Sequence, residues 1–180
     1  MTDDSVYSHP LRRSDLAGRK PTRFALTPDA DTRAAIARAL GISAVTRATL
    51  KGEIRPQGRA DFTLEAELDA EVVQPCVITL APVTSQIRDN VVRRYLADWQ
   101  EPEAEESEVP EDDSVEPLGD AIDVGAVLTE ALALALPLYP RVAGAELGSF
   151  QYGAPGAEPL AEEKMRPFAG LSELLKKRPD

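Results

Sequence analysis

The sequence is short of the residues from which most reaction centres are built. It has one cysteine, Cys76, and one histidine, His9, in 180 residues. One thiol cannot close an internal disulfide, and one Cys with one distant His cannot supply the three or four soft ligands of a zinc site. The same shortage argues against iron–sulfur clusters and against Ser-His-Asp or Cys-His nucleophilic chemistry. Aromatic residues make up 5% of the chain, against 43% hydrophobic residues in all, and there are 15 prolines. The core must therefore be modest and built mainly from Ala, Val, Leu and Ile. Long apolar runs are missing too. The longest, residues 131–138, is eight residues long and contains Pro137, against about 20 residues needed to cross a bilayer. The opening MTDDSVYSHPLRR carries acids and no apolar run, unlike a secretory signal. These absences predict a protein of the reducing cytoplasm that is not an enzyme, with no catalytic residues, metal, cofactor, membrane contact or small-molecule substrate.

Charge of one sign is missing from a long stretch. The net charge is −11, yet residues 95–140 hold 13 acidic residues and no Lys or Arg, while residues 1–60 carry eleven basic residues against six acidic. The acidity thus belongs to one segment. Its centre, EPEAEESEVPEDDSVEP, repeats like charges and prolines with almost nothing to bury, so a disordered acidic insertion is expected over residues 98–120. It reads first as a solvated linker, and second as a contact for a basic protein or a mask over an RNA-binding face.

What is present suggests an α+β fold. Thr22 to Leu26 reads as a short strand. Thr27-Pro28-Asp29 then gives an N-cap, a proline at the first helical position and an acid in the first turn, predicting a helix from Pro28 to Leu40 that stops at Gly41. Residues 45–55 and 59–70 alternate apolar and polar, with Phe62, Leu64, Ala66 and Leu68 on one face; a turn through Pro56, Gln57 and Gly58 makes them a hairpin. Val72 to Leu80 reads as a third long strand, irregular or at an edge where Pro75 and Pro82 fall. Val83 to Leu96 can pair back with it, although Ile87, Val91 and Tyr95 are also spaced as a helix face. Asp123 caps a second helix through Leu136, which Pro137 ends. The expected domain spans residues 22–141: a mainly antiparallel sheet of about five strands, open or closing partly on itself, with two packed helices. Residues 1–21 are expected to be a flexible N-terminal segment, and 142–180 a loosely ordered tail with a short amphipathic helix.

Candidate sites are few. His9 reads as a tail residue rather than a base. Cys76 reads as a small buried hydrophobe in a strand, against the alternative of a reactive thiol. The acidic run lacks the spacing and turn glycine of a calcium loop, and no glycine-rich phosphate loop follows a strand. Phosphate contacts would fall to Arg12, Arg13, Arg19, Lys20 and Arg23 near the N-terminus and to Arg88, Arg93 and Arg94 further on. The bland alternative is scattered surface arginine. With Phe24, Phe62, Tyr95, Trp99 and Tyr139 as the few aromatics of the domain, base stacking is poorly served.

The run QPCVITLAPV at 74–83, then an acidic insert, then IDVGAVLTEALALALPLYPR at 122–141 resembles the YceD family, the large ribosomal RNA subunit accumulation proteins. FALTPD before a short helix and the tail RPFAGLSELLKK are similar to the form this family takes in alphaproteobacteria. The resemblance covers roughly residues 20–141 and the tail. It implies a bacterial factor without enzymatic activity that supports accumulation of large-subunit ribosomal RNA, by binding that RNA or a pre-ribosomal large subunit. Its motif falls on Cys76, Leu80 and Pro82 of the third long strand, and on Asp123, Leu134, Pro140 and Arg141 around the last helix. Many members carry a second cysteine three residues after the first, where this chain has Thr79, which leaves a metal or redox role for Cys76 unsupported. The alternative function is an acidic adaptor that holds a basic partner such as a ribosomal protein.

Overall fold

The computed structural model describes residues 5–16, 18–99, 114–146 and 148. The chain divides into two units, Met1–Gly144 and Ala145–Asp180. Every helix and strand described belongs to the first unit; the expected amphipathic helix at 168–177 lies outside the described residues. Elements run in the order β1 (Pro10–Arg12), β2 (Thr22–Leu26), α1 (Ala30–Ala39), β3 (Ala44–Gln57), β4 (Asp61–Pro75), β5 (Pro82–Leu96), β6 (Val115–Pro117), β7 (Ala121–Asp123) and α2 (Val124–Ala135), with one 3-10 turn at Arg13–Asp15. Five strands form one sheet in the order β2-β3-β4-β5-β6, antiparallel except for the parallel pair β5–β6, while β1 and β7 form a separate antiparallel pair. The class is α+β as expected, and the sheet is open rather than closing on itself.

Alternation decides the two faces. Leu64, Ala66, Leu68, Ala70 and Val72 of β4 are buried, joined by Leu50 and Ile54 of β3 and Ile87 and Val91 of β5. On that face α1 packs against β3 through Ile36 and Ala37, and α2 against β4 and β5 through Val124, Val127, Leu128, Ala131 and Leu132. Leu50, Leu64, Leu68, Leu128 and Leu132 have no exposure, and each such side chain contributes on the order of 2 kcal/mol. The other face carries a lattice of opposite charges: Glu65 and Asp69 of β4 pair with Arg55, Arg47 and Arg88 of the flanking strands.

Several boundaries differ from the sequence reading. Asp29, not Thr27, caps α1, its carboxylate accepting the Thr32 N–H at 2.8 Å; an anion there also complements the helix dipole. Pro28 lies just before the cap, its carbonyl accepting Arg33 Nη1 at 2.7 Å. β3 continues through Pro56 and Gln57, so the hairpin turn is at residues 58–60. No separate strand spans Val72 to Leu80. β4 absorbs residues 72–75, and 76–81 is the turn into β5, with Pro75 opposite Pro82 in the register. Two prolines face each other where the ladder opens, which is where their missing donors matter least. Residues 83–96 form the strand, not the helix. The end of the expected insertion is ordered: Val115–Pro117 joins the sheet, while residues 100–113 lie outside the described residues. The N-terminal segment is not loose either, because Pro10–Arg12 pairs with Ala121–Asp123.

Candidate functional site

The two sets of basic residues fare differently. Arg12, Arg13, Arg19 and Lys20 are exposed and make no ion pair with a described residue. Arg12 and Arg13 line a shallow groove with Pro10, Ser14, Asp120 and Ala121, and the Arg13 N–H donates to the Asp120 carbonyl at 2.9 Å. Arg23 projects from the edge strand β2 and lies 3.4 Å from Glu53. The second set does not come together. Successive strand residues point to opposite faces, so Arg93 and Arg94 part. Arg93 turns to the helix side, where it meets Glu116 at 3.0 Å and Glu130 of α2 at 2.7 Å with its side chain 15% exposed. Partial burial and the nearby Glu130 push the Glu116 carboxyl up, against the pull of Arg93. Arg88 sits on the open face, 3.6 Å from Asp69, and Arg94 is exposed at the register position of Thr63. Glu116 and Glu130 as partners of Arg93 were not visible in the sequence, although the adjacency of Arg93 and Arg94 already forbids one shared face.

What ties the N-terminal segment down is Asp123. Its carboxylate accepts four hydrogen bonds: from the backbone N–H groups of Gly125 at 2.9 Å, Ala126 at 3.1 Å and His9 at 2.7 Å, and from the Ser8 hydroxyl. The Val124 N–H donates back to the His9 carbonyl at 3.2 Å. His9 thus takes part through its backbone. Partial burial opposes the charge on Asp123, but the bonds from Ser8, His9, Ala126 and Gly125 outweigh it and hold the carboxyl below its ordinary value. Gly125 makes room for this crossing, since a Cβ there would lie 2.8 Å from both the His9 nitrogen and the Tyr7 oxygen.

Beyond the opposite end of α2, the chain after the helix is bonded to the 76–81 turn, the two stretches in which the other residues expected of the family motif fall. The 76–81 turn is closed by the Cys76 N–H on the Ala81 carbonyl at 2.8 Å and the Leu80 N–H on the Cys76 carbonyl at 2.9 Å. The chain leaving α2 forms a strap over residues 137–142. The Val77 N–H donates to the Pro140 carbonyl at 3.0 Å, the Val142 N–H to Cys76 Sγ at 3.5 Å, and Gln74 Nε2 to the Pro137 carbonyl at 3.2 Å. Cys76 is fully buried as expected, but it sits in the turn, not in a strand. Donors from Thr79 (its hydroxyl first), Val142 and Ile78 converge on the sulfur and lower the thiol to about 6, against the opposing effect of burial. Among the described residues no group of three or more His, Cys, Asp or Glu side chains is placed to hold a metal ion, and no helix is long and apolar enough to cross a membrane.

The family described as large ribosomal RNA subunit accumulation protein YceD matches residues 64–175, more than half of the chain. The match contains the turn with Cys76, Leu80 and Pro82, both ends of α2 and the acidic insert; FALTPD at 24–29 lies outside it. No curated protein and no solved structure matches the chain.

Proposed function

The chain belongs to the YceD family, whose name ties it to accumulation of large ribosomal subunit RNA, and from that premise we propose that it acts without catalysis, by binding ribosomal RNA or a pre-ribosomal large subunit through its N-terminal arginines. The observation that carries this reading is the contrast between the two basic sets. Arg12, Arg13, Arg19 and Lys20 are exposed with no carboxylate partner among the described residues, whereas Arg93 is engaged by Glu116 and Glu130. Free guanidinium groups beside a groove offer bidentate donors to phosphate oxygens, and each phosphate neutralised releases counterions. The factor would work in the cytoplasm, where its RNA is made.

Changing Arg12, Arg13, Arg19 and Lys20 together to glutamate is expected to weaken binding to large-subunit ribosomal RNA. The slope of log affinity against log salt should fall by about 0.7 for each phosphate of a single strand that is no longer neutralised. Arg93→Met should leave that slope unchanged, and both variants should give a cooperative thermal melt, which checks that they fold. If the quadruple change leaves affinity and slope as they were, the basic residues are a solubilising surface and the adaptor for a basic ribosomal protein becomes the better reading.

A further inference from the structure

We propose that the surface formed by the 76–81 turn, the end of α2 and the 137–142 strap docks a protein segment that presents apolar side chains around one carboxylate. Leu80, Leu134, Leu138 and Tyr139 are 77%, 74%, 85% and 74% exposed, with Val77 and Val142 beside them partly so. The hydrogen bonds from Val77 to Pro140 and from Val142 to Cys76 hold the turn and the strap together. Exposed apolar side chains gathered on one turn and on the strap bonded to it mark an interaction site more often than a solvated surface.

Leu80 sharpens the point. Its φ is +61°, the only positive value at a non-glycine among the described residues, while Gly41, Gly58 and Gly144 take +65°, +59° and +76°. Glycine fills such positions without steric cost, and a leucine does not. Here a bulky side chain accepts that strain and is then held out in solvent, so packing within the fold does not account for it. An outlier of this sort argues toward a role in binding.

Charge selects the occupant. The chain is 28% charged, yet residues 72–87 contain no Asp, Glu, Lys or Arg and residues 131–145 contain only Arg141. RNA is held by many cations spaced along its phosphates, and one does not suffice. A second copy of the same surface would bring Arg141 against Arg141. Arg141, exposed, flanked in the chain by Tyr139, Pro140 and Val142 and without an ion pair to a described residue, is instead complementary to a single carboxylate set among apolar side chains. Binding surfaces commonly concentrate their energy on such an Arg and aromatic pair. This site is separate from the N-terminal arginines, and its test does not depend on RNA binding there.

The test uses the full chain as bait for a displayed library of random peptides, followed by affinities of the enriched peptides made synthetically. Enriched peptides are expected to carry two or more apolar residues within four positions of an Asp or Glu. Arg141→Ala should weaken them about tenfold, converting the peptide's acid to its amide should do the same, and the two changes combined should cost no more than either alone. Leu138→Ser should also weaken binding about tenfold. Leu80→Gly should weaken it while leaving the melting temperature equal to or above that of the parent chain, which a merely structural leucine would not do. The proposal is overturned if no peptide is enriched, or if the enriched peptides lack an acid or ignore Arg141→Ala. Displacement of the peptides by single-stranded RNA would make this an RNA surface. Concentration-dependent dimers abolished by Leu138→Ser would make it a self-contact, and photocrosslinks from position 138 to residues 145–180 of the same chain would show it already covered; each result rejects the protein partner.

Discussion

At its N-terminal end α2 is closed by Asp123, whose carboxylate accepts four hydrogen bonds and fastens residues 8 and 9 across the first turn. At its C-terminal end the last turn has no basic residue, the chain turns away at Pro137, and Leu134, Leu138 and Tyr139 face solvent. The first end gathers polar groups that would be costly to leave unpaired. The second leaves apolar groups uncovered. Within one helix of 12 residues the first end is thus buried in polar contacts while the second presents apolar side chains outward, and residues expected of the family motif fall at both ends.

The sharpest way to break this contrast is to remove the acceptor. Asp123→Ala should cost about 2 kcal/mol in urea unfolding, the upper range for an N-cap, because His9 and Ser8 lose a partner along with the helix. Asp123→Asn should retain most of that stability, since an amide oxygen can take the place of Oδ1; equal losses from both variants would refute the hydrogen-bond account. Next comes Gly125→Ala, expected to cost between about 1 and 2 kcal/mol by overpacking. It should speed amide exchange at residues 8–13, and unchanged exchange there would show that the crossing is not held by this turn.

A smaller effect appears with pH. The native pKa of Asp123 lies below its ordinary 3.8, so its ionised form stabilises the fold above about pH 4 and this contribution is lost as pH falls through the native pKa. The stability gap between the parent chain and Asp123→Asn should be constant above about pH 5 and shrink toward about pH 2; a gap that widens on acidification would reverse the sign of the argument. The smallest effect belongs to the other end of the helix, where Leu138→Ser should change stability by no more than about 0.5 kcal/mol. A larger loss would mean that this leucine is part of the core.

The parts that were legible in the sequence are those whose causes are local. The cap Asp123, the stop at Pro137 and the alternation from Phe62 to Leu68 act within a few residues, and each element they predict is present. The misreadings share a different cause. In the sequence Pro75 and Pro82 read as marks of one irregular or edge strand, whereas they face each other across a turn, a relation visible only once the register is known. The N-terminal segment looked free because its anchors, Asp123 with Ser8 and His9, lie 115 and 114 positions apart in the chain and include a backbone group that every residue carries. At the candidate site the arginines could be named but not sorted, since partnering of Arg93 depends on Glu130, 37 positions further on. The charge-free stretch at 72–87 and the nearly charge-free one at 131–145 are plain in the sequence, but only the fold places them side by side.

The parallel pairing of β5 with β6 brings the two ends of the acidic connection next to each other: the Arg94 N–H donates to the Ser114 carbonyl at 2.7 Å, and the Leu118 N–H to the Leu96 carbonyl at 2.9 Å. A connection whose ends are clamped in one ladder is, in polymer terms, already a ring. The entropy of ring closure rises only with the logarithm of length, about 0.6 kcal/mol for each doubling. Contour length between residues 99 and 114 is therefore nearly decoupled from the stability of the sheet. A compact reporter domain with neighbouring termini, spliced in at that point, should leave the register of every strand as it is.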